Sequence, residues 1–387
     1  MRLTLPLASL GFLLCACASI STPRPDLSGV TISDDFEAGN VESVTQDGQG
    51  FRIALSPEDT PINNSPWYAF EINGAAGKAV PITLAYTGGT HRYSPKIQLT
   101  DGSWLELESQ VDVSEDKSTA RFTITPSSDT VRIAAQAIMD TQDHLEWAQE
   151  MAVLDFVSFE TIGSSVENRP IHKLEEIDNP NVDKPYIVLI GRQHPPEVTG
   201  AQSLQPFVET IWGDSKLAKS FREEFNVIVV PLMSPDGVAR GYWRHNANGV
   251  DLNRDWGPFT QPETQAIEAE LNRFKTGDDQ MVLFLDFHST WRNLIYTQTD
   301  EEPTTPAFFT RDWIANVKAA LPDGVYSFSR EANVTSDKAM SKNYIYSTYG
   351  IPALTFEVGD KTSLEETEAA SEIFAKEMMA LLLERAN

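Results

Sequence analysis

Cysteine is nearly absent from this sequence. The 387 residues include two, Cys15 and Cys17, so everything downstream has no thiol to pair, to bind a metal or to act as a nucleophile. Positive charge is scarce as well: 30 Lys and Arg stand against 56 Asp and Glu, a formal net charge of −26. That balance excludes nucleic acid as the main partner, because phosphate binding draws on an excess of Lys and Arg. The acidic residues are spread rather than blocked, which reads as a solvated surface. There is no repeat of about 20–50 residues, and collagen, coiled-coil and low-complexity compositions are excluded. What is present is apolar material, 41% of the chain, enough for a large core and for two domains.

Long apolar runs are missing except at the start, where Leu3–Leu14 follows Arg2. The run is too short to span a bilayer and sits where a secretory signal has its apolar core. Leu14-Cys15-Ala16-Cys17 resembles a bacterial lipoprotein signal with Cys17 as the acylated residue. Ala16-Cys17-Ala18 offers ordinary signal cleavage as the competing reading. Acyl chains at about 0.8 kcal/mol per buried CH₂ would anchor the protein firmly. Residues 1–24 are therefore expected to be signal and tether. The protein is expected to be exported, periplasmic, and bound to the membrane through a lipid anchor only.

From about Val30 to Val131 the sequence consists of short alternating runs, among them Phe51–Leu55, Trp67–Ile72, Ala79–Tyr86, Trp104–Leu107 and Ala120–Ile124. Asn73-Gly74, Gly88-Gly89 and Asp101-Gly102 punctuate them as turns. This pattern predicts a smaller antiparallel β-sandwich domain over residues 25–155. Beyond Thr141 the period changes. Pro185–Ile190, Val227–Leu232 and Met281–Leu285 are continuous apolar runs, as in strands buried on both faces. Gly200–Trp212, Glu263–Lys275, Thr310–Leu321 and Leu364–Arg385 have helical patterns between and after them. The alternation predicts an α/β domain over residues 156–387, a mixed central sheet flanked by helices, with the boundary between Asp143 and Thr161.

The run ending at Ile190 leads directly into Gly191-Arg192-Gln193-His194-Pro195-Pro196-Glu197. In open α/β sheets, ligand sites gather just past the carboxyl ends of strands. A second strand end, Phe284-Leu285-Asp286-Phe287-His288, supplies another imidazole. Alone, a His-x-x-Glu pair is a common surface pair. Two of only six histidines at strand ends of one domain make two His and one Glu with an open fourth position, the donor set of a catalytic zinc ion, one per chain.

His194-x-x-Glu197, Ser234-Pro235-Asp236-Gly237, Trp243-Arg244, Gly249-Val250-Asp251-Leu252-Asn253-Arg254, His288 and Thr355-Phe356-Glu357 follow one another in this order. The set resembles the zinc carboxypeptidase family typified by pancreatic carboxypeptidase A, over about residues 160–387. The front half, with Ser65–Phe70 and Gln142-Asp143-His144, resembles the N-terminal domain of the cytosolic-carboxypeptidase branch. The resemblance implies that His194, Glu197 and His288 ligate zinc. The ion would polarise a carbonyl and lower the pKa of its bound water towards about 7. Asp251 then matches the carboxylate that fixes the tautomer of His194, and Glu357 the group that moves a proton from the water to the leaving amine. Arg244 matches the arginine that stabilises the tetrahedral oxyanion. Asn253 and Arg254 match the pair that grips the substrate's C-terminal carboxylate and makes the enzyme an exopeptidase. Read without the resemblance, Asp251 can equally cap a turn, Glu357 can be one more surface acid, and Arg254 an exposed ion pair worth under about 1 kcal/mol.

The sequence departs from the family pattern in places. Glu331–Asn343 lacks the expected loop tyrosine, and Tyr326, Tyr344 and Tyr346 fit that place imperfectly. Lys342 falls near the position that lines the pocket for the departing side chain, where an exposed helix lysine is the simpler expectation. Pro196 precedes the Glu where the cytosolic branch has Gly, and the stretch from Pro235 to Asn253 is short. Both features point to a separate bacterial subgroup.

The leading functional expectation is a metallocarboxypeptidase that acts on peptides with a free C-terminal carboxylate. A peptidoglycan stem-peptide amidase or carboxypeptidase, with muropeptide substrates, is the alternative; envelope location favours it and the acidic surface disfavours it beside an anionic wall. A non-catalytic module is disfavoured because ligands, clamp and base occur together. Trp67, Tyr68, Phe70 and Trp104 are expected in a core rather than on a carbohydrate platform, with the front domain forming one wall of the cleft.

Overall fold

The computed structural model describes residues 25–107, 110–177, 184–277 and 279–386. The candidate signal through residue 24, and with it Cys17, lies outside them. Among the described residues no helix is long and apolar enough to cross a membrane.

The front region contains β1 (Thr31–Ser33), β2 (Ser43–Gln46), β3 (Phe51–Leu55), β4 (Ala69–Asn73), β5 (Val80–Tyr86), β6 (Lys96–Gln98), β7 (Trp104–Glu106), β8 (Asp112–Val113), β9 (Thr119–Ile124) and β10 (Thr130–Ala134). They form two five-stranded sheets, ordered β1-β4-β10-β6-β7 and β2-β3-β5-β9-β8. The alternation read from the sequence is the reason. In β3, Phe51, Ile53 and Leu55 are buried while Arg52 is exposed, and they meet Phe70, Ile72 and Ile133 of the other sheet in one core. Pairing is antiparallel except between β3 and β5, which run parallel. Trp67, Tyr68 and Phe70 belong to that core and Trp104 packs against it, so none forms a platform.

The rest contains α1 (Thr141–Met151), β11 (Val157–Ser164), β12 (Pro170–Glu176), β13 (Tyr186–Gly191), α2 (Val198–Trp212), α3 (Lys216–Glu224), β14 (Asn226–Val230), α4 (Pro235–Arg240), α5 (Pro262–Leu271), α6 (Arg273–Thr276), β15 (Met281–Thr290), β16 (Leu294–Thr297), α7 (Phe309–Ala320), β17 (Ser329–Ala332), α8 (Ser341–Tyr349), β18 (Ala353–Gly359) and α9 (Leu364–Ala386). Its strands form one mixed eight-stranded sheet, β11-β12-β14-β13-β15-β18-β16-β17. The middle strands β14, β13, β15 and β18 are parallel.

Both faces of this sheet are covered, which is why its middle strands read as unbroken apolar runs. On one face Leu283, Leu285, Phe287, Leu354 and Phe356 pack against α2, α7 and α9. On the other, Phe284 and Ala353 pack with Ile267 of α5 and Ile345 of α8. Side chains alternate along a strand, so Asp286 and His288 share the face of Phe284, and Thr355 and Glu357 the face of Ala353. The register sets His288 directly beside Glu357.

Candidate metal centre and cleft

Strand β13 ends at Gly191, and six residues separate it from the start of α2. Pro195 and Pro196 restrict this turn, and Glu197 stands at the position before the first helical residue. The helix start is pressed onto β15: a Cβ on Gly200 would sit 2.6 Å from the His288 carbonyl oxygen, so only glycine allows the approach. Ser289 Oγ accepts from Gly200 N at 2.8 Å and from Thr199 Oγ1 at 2.8 Å. This contact carries Glu197 to His288.

His194, Glu197 and His288 are buried and offer ligand atoms that all lie within 4.8 Å of one another. His194 Nδ1 is 3.0 Å from Glu197 Oε1, and His288 Nδ1 is 2.7 Å from Glu197 Oε2. Each imidazole turns its other nitrogen to an aspartate. His194 Nε2 lies 2.9 Å from Asp251 Oδ1, and His288 Nε2 lies 2.8 Å from Asp286 Oδ2. An Nε2–H held by a carboxylate leaves the Nδ1 lone pair for a metal, the arrangement that second carboxylates give to ligating histidines.

The electrostatics are those of a cation site. Burial pushes Glu197 up, but the two imidazoles outweigh it and hold its carboxyl well below the usual range. Burial disfavours a charged His288, yet Asp286 and Glu197 reverse this and raise it well above the ordinary value. A metal would take the place of the proton at each Nδ1, and the resulting two neutral imidazoles and one carboxylate suit zinc in charge and softness, so the residues fit the metal.

Glu357 stands beside His288 on β18. Its Oε2 is buried without a hydrogen-bond partner. Burial is the main force on this carboxyl; with Glu197 and Asp286 also raising it against His288 and His194, it is pushed up to about 7. Asp251 precedes a 3-10 turn over Leu252–Arg254 and accepts from Asn253 N at 2.9 Å, so it caps a turn and faces His194 at once. Its other oxygen accepts from Arg244 Nε at 2.7 Å. Burial alone would raise Asp251, but His194, Arg244 and Arg254 dominate and hold it far below the usual range. Arg244 is nearly buried. Arg254 is exposed and donates from Nη1 to the Asn253 carbonyl at 2.6 Å. Asn253 itself is buried: its Nδ2 lies 3.3 Å from His288 Nε2 and its Oδ1 accepts from Ser341 N at 2.9 Å.

Lys342 differs from the expectation of an exposed helix lysine. It is 3% exposed, its Nζ donates to Thr297 O at 3.3 Å, and burial lowers its pKa. It sits on the face of α8 turned to the sheet. Tyr344 packs on Trp256 and Phe259 with its hydroxyl on Lys275, and Tyr326 packs on Phe374, so both are framework residues.

Two groups escaped the sequence reading. Asp286 takes Gln193 Nε2 at 2.6 Å, Ser341 Oγ and His288 on one oxygen; its position two residues before His288, hence on the same face, was the available signal. Arg192 is 1% exposed with φ +56°. It donates from Nε and Nη2 to the Pro195 carbonyl at 3.0 and 2.8 Å, and from Nη1 to His144 Nε2 at 3.1 Å. Burial lowers its pKa to about 10, and burial together with Arg192 keeps His144 neutral. The guanidinium thus holds the turn between His194 and Glu197 from behind. The front domain reaches the cleft too: Arg92 forms a two-pronged pair with Asp360, just past β18.

Comparison with known proteins agrees with this geometry. The cytosolic carboxypeptidase N-terminal domain matches residues 32–135. An uncharacterised protein of Zymomonas mobilis is 26% identical over 256 residues, 64% of this chain and 65% of that protein. Mouse cytosolic carboxypeptidase 1 is 38% identical over 108 residues, 27% of this chain and 9% of its own length. The chain therefore spans under two thirds of the first relative and a small part of the second. A Burkholderia cenocepacia metallo-carboxypeptidase shares the fold at TM-score 0.74 and 21% identity, over 92% of this chain and 98% of that one. A Pseudomonas aeruginosa metallo-carboxypeptidase does so at 0.73 and 22%, over 92% and 99%. The zinc carboxypeptidase family matches residues 144–379, more than half of the sequence, and the chain belongs to that family.

Proposed function

We propose that the protein is a zinc-dependent metallocarboxypeptidase that removes the C-terminal residue from peptides with a free α-carboxylate. The observation that carries this reading is the convergence of His194, Glu197 and His288 within 4.8 Å, with Glu357 next to His288 in register. One zinc ion held by these three residues supplies a Lewis acid for the scissile carbonyl and an acidified water. Glu357 accepts a proton from the attacking water at its unpartnered Oε2 and returns it to the departing amine; burial raises this carboxyl above its ordinary value, which favours its taking up the proton. Arg244 meets the charge that develops on the carbonyl oxygen. Asp251 holds its Nε, which leaves the two terminal nitrogens to the substrate. Arg254 takes the substrate carboxylate through its exposed fork. Asn253, whose Oδ1 is held by Ser341 N, turns its Nδ2 donors to the same carboxylate.

Mass spectrometry of a mixed peptide library tests this, with free-acid and C-terminally amidated peptides run with and without a zinc chelator. Chelator-sensitive loss of single residues from the free-acid set alone is expected. No cleavage by protein containing one zinc per chain would instead direct the search to stem peptides of peptidoglycan. Export with acylation at Cys17 rests on the Leu14–Cys17 sequence; Cys17→Ser should release the protein from the membrane fraction.

A further inference from the structure

The segment that carries Arg244 is held by the other domain. Glu58 lies between β3 and β4 of the front region, yet its carboxylate receives three consecutive backbone N–H groups from beyond α4. Trp243 N donates to Oε2 at 2.7 Å; Arg244 N and His245 N donate to Oε1 at 2.9 and 2.7 Å. Asp59 Oδ1 lies 2.6 Å from His245 Nδ1. Asn40 Nδ2 donates to the Gly241 carbonyl at 2.6 Å. The Trp243 indole is buried in the core of the front domain, against Gly89, where a Cβ would come within 2.6 Å of its Cζ3.

Successive N–H groups turned to one side form a concavity for an anion. Here the anion is the protein's own, supplied from a separate domain. The bonds fix the backbone of Arg244 from one end, and Asp251 fixes its Nε from the other. A guanidinium stabilises a transition state only when its donors already stand where charge will appear.

We propose that Glu58 is a positioning residue for Arg244, and that through it the front domain is a working part of the active site. The proposal rests on the role given to Arg244 above. Glu58 touches no ligand of the metal and no residue assigned to the substrate carboxylate; its hydrogen bonds to residues 243–245 are all to backbone.

Glu58→Gln replaces one acceptor oxygen with an amide that cannot accept, so the three donors no longer all have a partner. The variant is compared with the parent, Arg244→Ala and the double variant, on a blocked tripeptide with a free C-terminus chosen from the library screen. Zinc per chain and thermal midpoint are measured alongside. Expected is a kcat lower by about tenfold with KM within about threefold, as for a misplaced transition-state donor. Zinc content stays at the parental value. The double variant is no slower than Arg244→Ala alone, because the two changes remove one interaction. Gly89→Ala, which displaces Trp243 without touching Glu58, gives the same pattern and serves if Glu58→Gln does not fold. A kcat within twofold of the parent, or losses that multiply in the double variant, would overturn the proposal while the drop in Arg244→Ala upholds the reading of Arg244. An unchanged kcat in Arg244→Ala would overturn that reading, and the proposal with it.

Discussion

Arg244 and His194 meet on a single carboxylate: Asp251 accepts from Arg244 Nε at 2.7 Å with one oxygen and faces His194 Nε2 at 2.9 Å with the other. The residue that orients a proposed metal ligand thus also orients the arginine proposed to face the substrate. Asp251→Asn keeps the shape but removes the charge and one acceptor, so one neighbour loses its partner and the other keeps only a neutral oxygen. Zinc affinity should fall by about 10–100-fold, the usual cost of losing such a partner, as read by competition with a chromogenic chelator. At saturating zinc, kcat should still be reduced, because Arg244 is misplaced as well. Full activity on saturation would show that Asp251 serves the metal alone.

Glu357→Gln should separate binding from chemistry. The side chain is not among the three ligands, and its buried Oε2 has no protein partner to lose. Zinc content should match the parent while kcat falls by about 10²–10⁴-fold, the range for removal of a general base. Equal activity would mean that another group moves the proton.

The same carboxyl sets a pH dependence. Burial, with Glu197 and Asp286, raises Glu357 from 4.5 to about 7 in the protein without metal. A bound dication favours the ionised form, so the working value lies below that of the metal-free protein. The base must be ionised to accept a proton, so kcat should rise with pH through that working value and level off before about 7. In chelator-treated protein the sign for stability is opposite. A folded pKa above the unfolded one means that stability is lost as pH rises from 4.5 towards 7. Metal-free Glu357→Gln should therefore melt above the metal-free parent at pH 8 and close to it at pH 4. A parental kcat that stays flat at every pH below 7 at which zinc is retained would argue against Glu357 as the base.

Much of this arrangement was legible in the sequence, and the exceptions have one cause. His194, Glu197 and His288 announce themselves because strand ends and a short His-x-x-Glu turn are local features, and the predicted helices fall close to α2, α5, α7 and α9. Asp286 was half-legible, since strand alternation puts it on the face of His288, but nothing local says that it meets Gln193 and Ser341. Lys342 misled because a lysine is exposed unless tertiary packing decides otherwise, and here the α8 face turned to the sheet decides. The bonds of Glu58 to the backbone of Arg244 and of Arg192 to His144 were invisible: the partners lie 186 and 48 residues apart, and only the docking of the front region and of α1 brings them together.

Arg254 is where exopeptidase specificity can be tested most directly. Its guanidinium is exposed at the end of the 3-10 turn that Asp251 caps, tied by Nη1 to the Asn253 carbonyl. That bond fixes the arm and leaves the rest of the fork to a carboxylate, where a two-pronged, charge-assisted pair is stronger than a neutral hydrogen bond. Arg254→Ala should raise KM for free-acid peptides by roughly 10–100-fold, in line with about 1.5–3 kcal/mol for hydrogen bonds to charged groups. Arg254→Lys should recover part of it, since the charge returns without the planar fork. Amidated peptides present no carboxylate, so whatever residual cleavage the parent gives on them should not fall further in Arg254→Ala. Steady-state kinetics on matched free-acid and amide pairs read both effects at once. An equal loss on the two classes would show that Arg254 supports the fold of the turn rather than the substrate's C-terminus.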